Sequence, residues 1–216
     1  MNRRLPVAEP AILPGTAGSL EAVVEAPEGA ARAFMVICHP HPLHGGTMTN
    51  KVVTTLARTA HELAVPTLRF NFRGVGASAG SFDEGRGETD DALTAIAWGR
   101  QRWPDATLWL AGFSFGGYVA LRACTASGAG EVGKLVTVAP ALARNFGSVH
   151  DIHVPHCPWL IVQGDADEVV DASVVREWAA QLNPSPRLVT LPGVGHFFHG
   201  QLGALQQQVL PFLQGP

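Results

Sequence analysis

The sequence has no apolar stretch approaching the roughly 18 to 20 residues that a membrane span requires, although its mean hydropathy is positive. It also lacks runs of like charge, and 15 Lys+Arg against 18 Asp+Glu leave a net charge of -3. That balance argues against a nucleic-acid scaffold and against a polybasic membrane binder. Cysteine is scarce: Cys38, Cys124 and Cys157 are an odd set without CxxC spacing. A disulfide framework and a zinc ribbon are both disfavoured, and a reducing compartment fits. Beyond Arg3 and Arg4, residues 5–14 are broken by Pro6, Glu9, Pro10 and Pro14, so no signal-peptide core follows and a cytoplasmic protein is expected. No Lys-Ser or Lys-Thr follows the glycines of Arg73-Gly74-Val75-Gly76, and no dinucleotide fingerprint follows the first strand, so nucleotide binding is a poor reading.

What is present is a chain of 216 residues, 46% hydrophobic, with 24 glycines and 16 prolines. This is the composition of one compact domain, expected to span residues 1–216. Short apolar runs rich in branched residues alternate with segments of helical periodicity, the pattern of a parallel sheet covered by helices. Strands are predicted at residues 34–38, 67–72, 108–111, 135–138, 159–162 and 188–191, with an edge strand at 20–26. Helices are predicted over 50–64, from a cap at Thr89, after Gly116, around Val174–Leu182 and from Leu202 to Leu213.

In such sheets ligands bind beyond the carboxyl ends of the strands. Gly112-Phe113-Ser114-Phe115-Gly116 reads G-x-S-x-G between a predicted strand and a predicted helix, the context a nucleophile elbow needs. A serine nucleophile needs a base and a carboxylate to orient it. Asp167 and His196 follow in that chain order, each after a later strand. Asp165 and Asp171 compete with Asp167 for the carboxylate role, and His199 with His196. Attack on a carbonyl also needs two N–H donors for the oxyanion. Phe115 supplies one; Pro40 and Pro42 have none to give, which leaves His41, or Leu43, for the other. The histidines at 39, 41 and 44, and at 150, 153 and 156, invite a metal reading, but neither set has a supporting Cys or carboxylate at ligand spacing, and no metal is expected. Arg73 is read as an ion partner of Asp90 or Asp91.

With these motifs the chain resembles the α/β-hydrolase superfamily from about residue 20 onward. The segments Cys38–Met48, Arg69–Ser78 and Gly193–Phe198 resemble a small bacterial subfamily of lidless members. The resemblance implies an α/β-hydrolase fold without a cap domain, Ser114 as nucleophile, His196 as general base and Asp167 as the orienting carboxylate. The short span between the strands near residues 138 and 159 likewise leaves no room for a helical cap. An open site walled by Leu43, Phe197 and Phe146 suits small esters, or thioesters, cleaved without a cofactor through an acyl-enzyme. Amide cleavage, a noncatalytic binding role and metal-dependent hydrolysis remain open alternatives.

Overall fold

The computed structural model describes residues 6–146 and 148–215; Arg3 and Arg4, read above against an export signal, lie outside them. Eight strands form one sheet: β1 (Ala8–Gly15), β2 (Gly18–Glu25), β3 (Ala33–Cys38), β4 (Thr67–Phe70), β5 (Thr107–Phe113), β6 (Val132–Val138), β7 (Trp159–Gly164) and β8 (Arg187–Leu191). Their order is β1-β2-β4-β3-β5-β6-β7-β8. β1 and β2 pair antiparallel, as do β2 and β4, and the remaining pairs are parallel. Strands β3 and β7 are buried at every position because helices cover both faces. Among the described residues no helix is long and apolar enough to cross a membrane.

Two apolar cores follow from the alternation of side chains along the strands. Met35 and Ile37 of β3 face one core with Val53, Leu56 and Ala60 of α1 (Lys51–Glu62) and Leu205 and Val209 of α6 (Leu202–Gln214). Phe34, Val36 and Cys38 face the other, with Ile96 of α2 (Arg86–Arg102), Val119 of α3 (Phe115–Thr125) and Val175 of α5 (Ala172–Gln181). α1 begins where Asn50 caps it, its Oδ1 accepting the Val52 N–H at 2.9 Å. The chain returns past β3 between β4 and β5, so the strand order reverses beside β3, and a crevice opens at the carboxyl end of β5.

Two sequence expectations are corrected. The strand at residues 20–26 is not the edge, because β1 lies outside it. Prolines 10 and 14 hid that strand, yet an edge strand tolerates proline since one side needs no donor. α2 starts a turn before Thr89: Glu88 accepts the N–H groups of Asp83 (2.9 Å) and Gly85 (2.7 Å) and so takes over the cap. Arg73, expected to pair with Asp90 or Asp91, pairs with Asp91, which is buried. Between β6 and β7 the structure holds α4 (Leu142–Phe146) and a single 3-10 turn at Val149–Asp151, with no cap subdomain among the described residues.

Candidate active site

β5 ends at Phe113 and α3 begins at Phe115, so Ser114 alone makes the turn, at φ 54° and ψ −118°. This is a conformation that L-residues adopt at a cost, and it aims the side chain out of the sheet. The neighbouring glycines are sterically required. A Cβ on Gly112 would strike the Gly116 carbonyl, and one on Gly116 would strike the backbone carbonyls of Cys38 and His39. The Ser114 N–H donates to Val138 O at 2.8 Å, and its carbonyl accepts from Gly117, Tyr118 and Ala141, which locks the turn in place.

Ser114 Oγ lies 3.0 Å from His196 Nε2, and His196 Nδ1 lies 2.8 Å from Asp167 Oδ2. The imidazole therefore donates to the carboxylate through Nδ1 and accepts from the hydroxyl through Nε2. Asp167 comes from the loop after β7 and His196 from the loop after β8. Both side chains are almost fully buried, whereas the three residues are separated by 82 and 29 positions in the chain. Burial by itself would raise the Asp167 carboxyl. Hydrogen bonds from His196 and from the N–H groups of Val170 and Val169 outweigh it and hold the group below its ordinary range.

The competing residues are engaged elsewhere. Asp165 accepts the Gly193 N–H at 2.6 Å, tying the β7 and β8 loops together, and Asp171 caps α5 through the Ser173 N–H at 2.8 Å. His199 is exposed and stacks on Phe197. Leu43 spends its N–H on His41 Nδ1, while the His41 carbonyl accepts from His44 and Gly46 at 3.1 Å each. The Phe115 N–H, first in α3, has no acceptor within its helix.

A cavity of about 700 Å³ opens in front of Ser114 and His196. Leu142, Val170, Val174, Val175, Trp178 and Phe197 give it an apolar wall, faced by the loop holding His41 and Gly46. Two of the expected wall residues are misplaced. Leu43 is 69% exposed and does not line the cavity, and Phe146 packs edge-on against Tyr118, with ring centroids 4.9 Å apart. Half of the apolar wall, Val174, Val175 and Trp178, comes instead from α5, which the sequence marks only as a packed helix.

In the first histidine cluster, His39 is engaged in the fold. His39 is fully buried, its Nδ1–H donating to Pro40 O at 2.6 Å and its Nε2 accepting the Phe72 N–H at 3.0 Å. Both ring nitrogens are used, so neither is free for a metal. Among the described residues no group of three or more His, Cys, Asp or Glu is arranged to hold one. Burial lowers the His39 pKa to about 4, against a smaller opposing effect of the Pro40 carbonyl. The unfolded chain, with an ordinary imidazole, therefore binds a proton that the folded chain refuses between pH 6.5 and pH 4. Stability is expected to fall by about 3 kcal/mol as pH drops through that window and to level off below it. Urea unfolding across pH 4 to 7 checks this as a slope that a His39→Gln variant lacks; equal slopes would refute it. Cys124 and Cys157 are free thiols with sulfurs 3.8 Å apart, and Cys38 is buried.

Residues 29–153 match the family described as Serine aminopeptidase, S33, more than half of the chain. The chain belongs to this family of α/β serine hydrolases. It is 42% identical to the solved structure of an alpha-beta serine hydrolase homologue from Coxiella burnetii, with a TM-score of 0.88, covering 95% of this chain and 97% of that one. It is 44% identical to XC6422 from Xanthomonas campestris, described as an a/b serine hydrolase without lid, with a TM-score of 0.87 and coverage of 97% and 96%. An uncharacterized protein of Rickettsia prowazekii, RP471, is 33% identical over 170 residues, 76% of this chain and 71% of that protein. The fold of this hydrolase is the lidless α/β-hydrolase fold, as its sequence motifs led one to expect.

Proposed function

We propose that this hydrolase cleaves small carboxylic esters, thioesters included, through an acyl-enzyme on Ser114. The observation that carries the reading is the continuous hydrogen-bonded chain from Ser114 Oγ through His196 to Asp167, built on a strained turn at the floor of an apolar cavity. His196 Nε2 takes the hydroxyl proton as Ser114 Oγ attacks the carbonyl carbon, and Asp167 holds the imidazole in the tautomer that can accept it. The N–H groups of Phe115 and His41 are the donors assigned to the oxyanion. The alcohol or thiol leaves with the proton from His196, and a water deprotonated by the same ring releases the acid. No cofactor enters these steps.

The apolar wall favours an ester over the free amino terminus of a peptide. Asp171 is the only carboxylate lining the cavity among the described residues, and its Oδ1 is already bonded to the Ser173 N–H and hydroxyl at 2.8 and 2.7 Å. A fluorophosphonate tests the reading: attack by Ser114 Oγ on phosphorus, with loss of fluoride, should give one adduct that maps to Ser114. An adduct elsewhere, or none on folded protein, would overturn it.

A further inference from the structure

Gln163 is the one polar side chain in β7, the strand Trp-Leu-Ile-Val-Gln-Gly, and it is 1% exposed. Its Nε2 donates to Asp167 Oδ2 at 2.9 Å, with Val170 O at 3.1 Å and Gly164 O at 3.3 Å. Asp167 Oδ2 is the same oxygen that accepts from His196. The amide oxygen Oε1, by contrast, is buried with no partner among the described residues. Turning the amide over would set Oε1 against three acceptor oxygens, so its orientation is dictated by chemistry. A buried carbonyl oxygen without a donor is destabilising, and methionine would fill the same volume without that cost. The amide thus aims its N–H groups at the carboxylate and leaves its oxygen bare.

We propose that Gln163 is a positioning residue that acts through Asp167, holding its carboxylate ionised and in line with His196. This rests on the serine-hydrolase reading above. With two donors on Oδ2, the carboxylate is less basic than with one and competes less for the imidazole proton. Removing the Gln163 donor makes Asp167 more basic, which keeps the imidazole protonated to higher pH. Activity then fails at a higher pH than in the wild type.

The test is Gln163→Met, followed by the rate of fluorophosphonate labelling of Ser114 against pH, and by kcat and KM on a p-nitrophenyl ester. Expected are a labelling rate and kcat about tenfold lower, KM unchanged, and the acid limb of the profile moved to higher pH. Gln163→Leu, which also removes the donor at similar volume, should move the limb in the same direction. It also decides the matter if the methionine variant fails to fold. In an Asp167→Asn background, Gln163→Met should change the labelling rate little. An unmoved acid limb in both variants would overturn the proposal, as would a rate loss that simply follows a lowered melting temperature. Carbon-13 NMR titration of the Asp167 carboxyl, expected to rise in Gln163→Met, separates the two readings. A wild type that takes no adduct would sink the hydrolase reading, whereas an unchanged titration would sink the role of Gln163.

Discussion

Replacing Ser114 with glycine is expected to abolish ester turnover and yet leave a protein about 1 kcal/mol more stable than the Ser114→Ala variant. Both substitutions remove the Oγ bond to His196, so that loss cancels in the comparison. What remains is the backbone at φ 54° and ψ −118°, which strains alanine as much as serine but not glycine. The greater freedom of an unfolded glycine takes back part of the gain. Turnover should fall by about four to six orders of magnitude in either variant, since what remains without the nucleophile is substrate binding and oxyanion stabilisation. Urea midpoints of the pair check the first statement, and single-turnover assays the second. A glycine variant no more stable than the alanine one would mean that the turn stores no strain.

The second large effect lies outside the reacting groups. Arg73 follows β4 and pairs with Asp91 of α2 through Nε, at 3.1 and 3.2 Å, and through a terminal nitrogen at 2.8 Å; its own N–H also donates to the carboxylate at 2.9 Å. Asp91 is completely buried and Arg73 nearly so. Asp91→Ala would strand a guanidinium and a backbone N–H without their acceptor, and should cost about 3 to 5 kcal/mol. Arg73 also donates to Thr16 at 3.0 Å, so the same carboxylate anchors the loop after β4 to the β1–β2 turn. A urea midpoint close to wild type would contradict this. An Arg73→Met, Asp91→Leu pair should recover most of the loss, because the penalty comes from the unpaired charge rather than from the missing attraction.

The residues proposed to carry the chemistry were legible because their local constraints are severe. Only glycine fits beside the Ser114 turn, and that requirement is written in five consecutive positions. The strands covered on both faces, such as Phe34–Cys38, were legible as continuous apolar runs. β1 was not, since an edge strand that buries little has no such run and can carry Pro10 and Pro14. The cap of α2 was misread because Glu88 reaches back to the Asp83 and Gly85 amides, a fit that Thr89 mimics in sequence.

The amino-acid sequence by itself determined the fold class, the serine turn and the chain order of serine, carboxylate and histidine, all of which depend on near neighbours along the chain. The tertiary structure alone decided which carboxylate meets His196, since Asp165, Asp167 and Asp171 share one loop and differ only in where their side chains point. It also decided that α5 rather than Leu43 and Phe146 supplies half of the cavity's apolar wall, and that Gln163 lies against Asp167 with a bare oxygen behind it. Those outcomes depend on the register of β7 and β8 and on packing between elements far apart in the chain, and a residue's type and its immediate neighbours hold no record of either.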